Sequence, residues 1–201
     1  DLYILEYTGG KLHIPTISTK KSVELIREAK KKGLKVTCSV AIFNLILTDD
    51  ALEEFDTNYK LLPPLRTKED AKALIKGLKD GTIDGITSDH NPIDVEHKKT
   101  EFEQAYFGSV GLEACFGALN KILGIEQSVN ALMGLKKTFK IPSEKIEEGN
   151  RAELTLFNPD ITWEFAEQDI LTTSKNAALL GTKLKGKPYG ILANNQLVLN
   201  N

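Results

Sequence analysis

The sequence has little cysteine, no long apolar run and almost no net charge. Its two cysteines, Cys38 and Cys115, lie far apart, which predicts a reduced, cytoplasmic protein with both as small core residues. No segment approaches the roughly 20 apolar residues that span a bilayer, and Asp1–Glu6 lacks the start of a secretory peptide. A net charge of -2 and a pI near 6.0 give no reason to expect nucleic acid or an anionic membrane as a partner.

The residues that are present suffice for a folded core. The chain has 201 residues, 41% of them hydrophobic and 27% charged, as expected for one domain, alone or with a small appendage. Strand-like and helix-like segments alternate through the first half, which predicts parallel β/α units. The strands are expected at Lys11–Ile17, Leu34–Val40 and Ile83–Ser88, and the helices at Lys21–Lys32, Thr48–Phe55 and Thr67–Leu78. Thr19 or Ser22 could cap the first helix.

The pattern changes near residue 146, where short apolar strands and turns replace the helices. This change divides the chain into an α/β part, residues 1–145, and a small β element, residues 146–201. The asparagine pair Asn194-Asn195 between two apolar runs predicts a β-hairpin. The remaining helices and strands are expected at Val110–Leu123, Glu126–Thr138, Ala152–Phe157, Gly190–Ala193 and Gln196–Leu199.

An acidic motif follows the third predicted strand. Ile83–Ser88 leads directly into Asp89-His90-Asn91-Pro92, so we expect the Asp89 carboxylate at the carboxyl end of a parallel strand. In a β/α barrel, that end of the strands carries the chemistry. Asp89 could ligate a metal, act as a general base, or both. The alternative is a carboxylate that is hydrogen-bonded in the mouth of the barrel without a chemical role.

Short motifs are spread over nearly the whole chain in a definite order. They are Leu12–Thr19, Ala29–Thr37, Leu47–Asp49, Pro63–Arg66, Asp80–Asp84, Ser88–Pro92, Phe107–Glu113, Glu148–Leu154, Asn176–Gly181 and Lys185–Lys187. Any one of them is a weak signal, but the set is specific. In this order and spacing the motifs resemble the C-terminal half of a dihydroorotase, a member of the amidohydrolase superfamily.

The resemblance implies the C-terminal half of a metal-dependent β/α barrel of the TIM type, plus part of a small β-sandwich built from both termini. The chain would start just before the sixth barrel strand, as a fragment or as one piece of a split protein. The family's His-x-His pair, bridging carboxylate and fifth-strand His would then lie outside it. Half a barrel leaves open strand edges, so the expected partner is the N-terminal half of the same protein. A second copy or aspartate transcarbamoylase, with which related inactive chains assemble, is a further expected partner.

Several positions that carry chemistry in the family hold other residues here. By the resemblance, Thr16 stands where the family has a zinc-ligating His, and a neutral hydroxyl is a poor zinc ligand. Phe43 and Asn44 replace two consecutive histidines. Leu62 replaces an Asn that helps to hold substrate, and Ile93 replaces a His that binds the substrate carboxylate. Zinc, the cofactor of the family, is therefore expected to be absent or weakly bound.

Few candidate site residues remain. By the resemblance, Asp89 is the catalytic residue and the remaining metal ligand, and Phe107-Gly108 belongs to a loop that contacts substrate. The Phe107-Gly108 loop could equally be kept for structural reasons.

The histidines and a lysine run are expected to have structural roles. His13 is expected to be hydrogen-bonded within a strand, with a substitute metal ligand as the alternative. His90 is expected to pack behind the acidic motif, and His97 to lie on the solvated surface. Lys30–Lys32 is expected to be a solvated helix end, where cations suit the helix dipole.

Three functions are compatible with these residues. The first is a dihydroorotase-like protein of pyrimidine biosynthesis that has lost hydrolysis and acts as a structural or regulatory subunit. The second is an active cyclic amidohydrolase, in which metal-bound hydroxide attacks the ring amide and Asp89 passes the proton to the leaving nitrogen. The third is a non-catalytic metabolite-binding barrel with an apolar mouth lined by Leu62, Phe43 and Ile93. We favour the first.

Overall fold

The computed structural model describes residues 1–142 and 145–200. Helices and strands alternate in its first part, as the sequence predicted. In chain order they are α1 (Leu2–Thr8), β1 (Leu12–Ile14), α2 (Lys20–Lys31), β2 (Val36–Ala41), α3 (Phe43–Ile46), α4 (Lys68–Lys79), β3 (Gly85–Thr87) and α5 (Val95–Lys98). The strands form a three-stranded parallel sheet in the order β1-β2-β3.

The second part consists of two helices followed by an antiparallel sheet. These elements are α6 (Leu112–Leu123), α7 (Ile125–Thr138), β4 (Leu154–Glu164), β5 (Lys183–Ala193) and β6 (Gln196–Leu199). The order of the antiparallel sheet is β4-β5-β6. Asn194 and Asn195 form the predicted hairpin turn, with φ angles of 51° and 60°. Ser143 and Glu144, at the end of the predicted α/β part, lie outside the described residues.

Helix α2 covers the parallel sheet because its apolar residues recur on one side. Val23, Ile26 and Ala29 are buried. The sequence offered two candidate caps for this helix, Thr19 and Ser22. The structure shows that Thr19 is the cap, because its hydroxyl accepts a hydrogen bond from the Ser22 amide at 3.1 Å. The cap and the apolar face together fix where α2 starts and how it packs.

The lysine run at the end of α2 is not fully solvated, contrary to the prediction. The Lys30 ammonium donates to both carboxylate oxygens of Asp84, at 2.8 and 2.9 Å. The same carboxylate accepts a hydrogen bond from the Cys38 amide at 2.8 Å. The dipole of the helix end explains the preference for cations there, but Lys30 also pairs with the half-buried Asp84 carboxylate on the segment before β3. This ion pair ties α2 to β2 and β3.

Helix α7 lies directly against the β3 segment. A Cβ built on Gly134 would lie 1.9 Å from the Asp84 carbonyl oxygen, so only glycine allows this approach. Gly85 faces Leu135 and Ala131 in the same contact. The close packing places α6 and α7 beside the sheet, with α6 starting near the strand ends.

The antiparallel sheet is held on α6. The Asn120 amide of α6 donates to the Pro159 carbonyl at 2.9 Å and to the Lys185 carbonyl at 3.0 Å. The Trp163 indole donates to the Gly186 carbonyl at 3.0 Å. The small β element predicted for residues 146–201 is therefore packed on the helices of the preceding part.

Several predicted bounds differ from the structure. The strand predicted at Lys11–Ile17 is only Leu12–Ile14, because Pro15 has no amide hydrogen and the next residue turns away. Thr48–Phe55 forms a 3-10 turn at Asp49–Leu52 in place of a helix. Ala152–Phe157 and Gly190–Ala193 cover only the start of β4 and the end of β5, each of which has 11 residues. Gln196–Leu199 is β6, as predicted. Within residues 1–142 and 145–200, no helix has the length and apolar character that a membrane crossing requires.

Candidate functional site

The carboxyl ends of the three parallel strands meet at one edge of the sheet. The strand register pairs Ile14 of β1 with Cys38, and Ala41 of β2 with Thr87 of β3. Beyond the strands the chain stays tied across the sheet, because the Thr16 amide donates to the Ser39 hydroxyl at 3.2 Å. The segments after β1, β2 and β3 therefore share one edge, as the β/α pattern predicted.

Two residues at this edge have a left-handed backbone. Thr16 has a φ of 46° and Asp89 a φ of 48°, and each lies two residues beyond its strand. This conformation is uncommon for residues other than glycine, and it is least favourable for a β-branched residue such as Thr. Strained backbone of this kind clusters at functional sites. The strain thus marks Thr16, which stands where the family has a zinc-ligating His, and Asp89, the predicted catalytic residue.

The Asp89 carboxylate is half-buried at this edge. The Asp89 amide donates to the Thr87 hydroxyl at 3.0 Å, which fixes the turn after β3. Within the described part of the chain, neither carboxylate oxygen has a hydrogen-bond donor. Burial raises the pKa of Asp89 above its usual range. A carboxylate without partners and with a raised pKa could act as a base or a metal ligand, but the structure shows neither role.

The donors at the strand ends do not make a zinc site by themselves. Structural zinc takes four N, S or O ligands and catalytic zinc three. Across residues 1–142 and 145–200, no three His, Cys, Asp or Glu side chains lie where they could hold one metal ion. Thr16 and Asp89 offer one hydroxyl and one carboxylate. A zinc ion at this edge would need further ligands from outside the described residues.

The two residues in the family's histidine positions are used for packing and loop structure. The Phe43 side chain is fully buried, and its ring lies 2.6 Å from where a Cβ on Gly111 would be. Phe43 therefore fills the space beneath the start of α6. The Asn44 amide donates to the Pro64 carbonyl at 3.0 Å and holds the following loop. Phe43 has no ligand atom, and the Asn44 amide nitrogen is committed to the loop.

The prediction that Leu62, Phe43 and Ile93 together line an apolar barrel mouth is wrong. Phe43 is in the core, while the Leu62 side chain is 63% exposed. Ile93 lines a different cavity of about 560 Å³, together with Asp94 and Lys98. The three residues do not form one surface, because Phe43 fills the core beneath α6 and cannot face an open mouth.

The Phe107-Gly108 loop lies beside the acidic motif. The Asn91 amide group donates to the Phe107 carbonyl at 3.0 Å, and the Asn91 backbone amide donates to the Ser109 carbonyl at 2.9 Å. Gly108 has a φ of 146°, and a Cβ there would lie 2.6 Å from the Asn91 carbonyl oxygen. The Lys60 ammonium lies 5.0 Å from the centre of the Phe107 ring. The structure thus brings this loop next to the Asp89 motif, with the Phe107 ring 47% exposed.

The histidines take the structural positions that the sequence predicted. His13 Nδ1 lies 2.9 Å from the Thr37 hydroxyl across β1 and β2. His90 Nδ1 accepts hydrogen bonds from the first amides of α6, at 3.1 Å from Leu112 and 3.4 Å from Gly111. His97 is partly exposed and pairs with Asp94 at 2.7 Å. His90 consequently ties the Asp89 turn to the start of α6. Both cysteines are buried, as predicted.

Sequence reasoning missed four residues that organise this region. Asn176 accepts from the Ile93 amide at 2.9 Å and donates to the Gly108 carbonyl at 3.2 Å. The Lys98 ammonium is buried and donates to the Thr57 carbonyl at 2.7 Å. Lys60 braces the Phe107 loop, and Glu113 accepts from the Leu171 amide at 3.0 Å. Asn176 and Glu113 lie in motifs of the resemblance, but their contacts span distant segments and leave no local pattern.

Comparison with known proteins agrees with this arrangement. A dihydroorotase from Thermoanaerobacter sp. is 42% identical over 192 residues, covering 92% of this chain and 44% of that protein. The chain is a dihydroorotase homologue of the amidohydrolase superfamily. No protein-family model matches the sequence. The dihydroorotase-like chain spans about half the length of the curated relatives it matches.

Solved structures show the same fold. An L-hydantoinase (dihydropyrimidinase) from Arthrobacter aurescens superposes with a TM-score of 0.89 at 26% identity, over 99% of this chain and 47% of the hydantoinase. The inactive dihydroorotase-like domain of a Chaetomium thermophilum CAD-like multifunctional protein gives a TM-score of 0.71 at 21% identity, over 98% of this chain and 53% of that domain. The parallel β1-β2-β3 sheet with its helices is thus part of an amidohydrolase α/β barrel, which is not closed in the described residues.

Proposed function

We propose that this chain is the C-terminal half of a dihydroorotase-like barrel of pyrimidine biosynthesis that has lost hydrolysis and acts as a structural or regulatory subunit. One observation carries the proposal: at the strand ends, the residues that replace the family's histidines pack in the core, hold a loop or offer only a hydroxyl. Phe43 is core, Asn44 holds a loop, and Thr16 offers only a hydroxyl. Asp89 remains without a partner for its carboxylate in the described part of the chain.

The completing partner in this proposal is the N-terminal half of the same protein. β1 and β3 are the outer strands of the parallel sheet, and each is paired on one side only in the described residues. Exposed strand edges present unpaired amide and carbonyl groups, which are satisfied when another strand is added. The antiparallel sheet would likewise form one part of a β-sandwich. A second copy of the chain and aspartate transcarbamoylase remain proposed partners of the completed protein.

The experiment is zinc analysis of the protein together with the segment that completes the barrel. We expect less than stoichiometric zinc. The variant Thr16→His replaces a hydroxyl by an imidazole, a far better zinc ligand, so it should raise the zinc content. The matched control is Thr8→His, which places an imidazole on exposed α1. Stoichiometric zinc in the unaltered protein would contradict the proposal.

The second candidate function is an active metal-dependent dihydroorotase or another cyclic amidohydrolase. The strained backbone at both Thr16 and Asp89 and the raised pKa of Asp89 favour it. A metal would supply Lewis acidity when bound, and Asp89 would hold or move a proton at its carboxylate. In that case Asp89→Asn should abolish turnover of dihydroorotate by the completed protein. Unchanged turnover in this variant would eliminate the role of Asp89.

The third candidate, a non-catalytic metabolite-binding barrel, rested on an apolar mouth, and the structure does not have the expected lining. Phe43 is buried, and Leu62 and Ile93 do not share a surface with it. We therefore do not retain an apolar mouth formed by these three residues.

A further inference from the structure

A large aromatic side chain is displayed to solvent on the loop after β2. The Phe55 side chain is 68% exposed, and its backbone has a φ of 54°. This left-handed conformation is unfavourable for a bulky residue. Because the ring stays exposed, its burial does not offset the cost. An exposed ring on strained backbone points to contact with another molecule.

A second aromatic ring, on the loop after β3, forms one surface with Phe55. The centres of the Phe55 and Phe102 rings lie 5.7 Å apart, with the ring planes at 80°. The Lys60 ammonium lies 5.4 Å from the centre of the Phe102 ring and 5.0 Å from that of Phe107. It also donates to the Phe102 and Glu103 carbonyls, at 2.6 and 2.7 Å. Lys60 therefore fixes this loop, and the aromatic surface is preorganised for binding.

Carboxylates surround the two rings. Glu54, Glu101 and Glu103 line the same open groove as the rings, with a volume of about 610 Å³. All three glutamates are exposed. In the part of the chain that the structure describes, none of them has an ion-pair partner. The Lys60 ammonium offsets one of these charges, so the groove keeps a charge of about -2.

The groove does not belong to an open strand edge. Phe55 follows β2, which is paired with β1 on one side and with β3 on the other. The segment after α5 returns to the Phe55 loop, because the Gly108 amide donates to the Lys60 carbonyl at 3.0 Å. Strands that complete the barrel would add to the free edges of β1 and β3. The exposed rings and carboxylates are therefore not explained by the missing strands.

The chemistry of the groove suits a guanidinium group better than an ammonium group. A guanidinium is planar and weakly hydrated, it stacks on aromatic rings, and its five N–H donors can serve more than one carboxylate. An ammonium is compact and strongly hydrated, so it gains less from an exposed ring. A basic group is also required by the negative charge of the groove.

The surroundings of the groove favour a protein segment over a free small molecule. The side chains of Tyr106 and Phe107 are 54% and 47% exposed and extend the apolar surface beyond the two rings. We propose that the groove between Phe55 and Phe102 docks an arginine-bearing segment of another protein. The guanidinium stacks on the Phe55 ring and donates hydrogen bonds to the surrounding glutamates.

The experiment measures peptide binding to the protein together with the segment that completes the barrel. Fluorescein-labelled peptides with Arg-Gly-Ser, Lys-Gly-Ser or Glu-Gly-Ser repeats are titrated by fluorescence anisotropy at constant ionic strength. We expect saturable binding of the arginine peptide, about fivefold weaker binding of the lysine peptide and no binding of the glutamate peptide. This comparison needs no variant.

Two variants separate the contribution of the ring from that of the charge. Phe55→Leu keeps an apolar side chain but removes the ring, and it should weaken binding of the arginine peptide about fivefold. Glu101→Gln should weaken it about threefold. The matched control, Glu126→Gln, makes the same change of charge at an exposed position of α7 and should leave binding unchanged.

Four results would overturn the proposal. They are the absence of saturable binding of the arginine peptide, equal affinity for the arginine and lysine peptides, unchanged affinity in Phe55→Leu, and an equal loss of affinity in Glu101→Gln and Glu126→Gln. The last result would show that the net charge of the protein, and not this groove, attracts the peptide. None of these results depends on zinc content or on hydrolysis, so they are separate from the test of the proposed function.

Discussion

Lys98 gives the folded protein a pH-dependent stability that a single substitution should remove. Its side chain is only 4% exposed, and burial, with the nearby Lys60 ammonium as the second cause, lowers the pKa of Lys98 to about 8. The unfolded chain has the ordinary pKa of 10.5. Between pH 8 and 10.5 the unfolded state therefore binds up to one more proton than the native state. By linkage, the free energy of unfolding rises with pH in this window.

The size of the effect follows from the pKa difference. A shift from 10.5 to about 8 corresponds to at most about 3 kcal/mol across the whole window. The hydrogen bond from Lys98 Nζ to the Thr57 carbonyl, at 2.7 Å, favours the charged form and reduces this number. We therefore expect about 1–2 kcal/mol between pH 7.5 and 10. Below pH 7 both states are protonated, and Lys98 adds no pH dependence there.

The assay compares urea unfolding of the unaltered chain with that of Lys98→Met from pH 7 to pH 10. Met keeps the length of the side chain but does not titrate. The stability of the unaltered chain should rise relative to the variant as pH increases. Lys99→Met, an exposed neighbour, is the control and should give a curve parallel to that of the unaltered chain. Parallel curves for Lys98→Met and the unaltered chain would refute the reasoning.

Two further predictions concern backbone strain and thiol chemistry. Gly108→Ala should lower the free energy of unfolding by about 1–3 kcal/mol, because its Cβ would lie 2.6 Å from the Asn91 carbonyl oxygen at a φ of 146°. Gly10→Ala, which has open surroundings, should change it by less than about 0.5 kcal/mol, and a larger loss there would contradict the assignment. Burial raises the pKa of both Cys38 and Cys115 to about 12, so neither thiol should react with a disulfide reagent at pH 8 without denaturant. Fast labelling of the native chain would show that one of them is accessible.

The sequence was most informative where local chemistry decides the structure. The alternation of apolar strands with amphipathic helices predicted the parallel sheet. Thr19 was one of two predicted caps, and Asn194-Asn195 predicted the hairpin turn. The strand before Asp89 placed that carboxylate at the correct edge. These features depend on residues within a few positions of each other, so a single sequence carries them.

Long-range pairing explains most of what was missed. Lys98 lies in the charged run Glu96–Lys99, which has the pattern of a solvated surface, and its burial comes from contacts with Thr57, 41 positions away. Lys30 seemed a solvated cation because its partner Asp84 lies 54 positions away. The burial of Phe43 depends on the close approach of Gly111. No local periodicity indicates such contacts.

The candidate site was predictable by position but not by geometry. The motifs placed Thr16, Asp89 and Phe107-Gly108 in one region, and the structure brings their segments together. The left-handed backbone at Thr16 and Asp89 has no signal in the sequence, since neither residue is glycine. The hydrogen bond between Glu113 and the Leu171 amide likewise has no signal in the sequence, because the two residues lie 58 positions apart.

Turnover of dihydroorotate by the zinc-loaded protein, together with the segment that completes the barrel, tests the loss of hydrolysis most directly. The proposed loss of the histidine positions to packing predicts no hydrolysis above the level of the Asp89→Asn variant. Turnover that saturates with dihydroorotate and is abolished in Asp89→Asn would contradict the proposal and establish an active hydrolase.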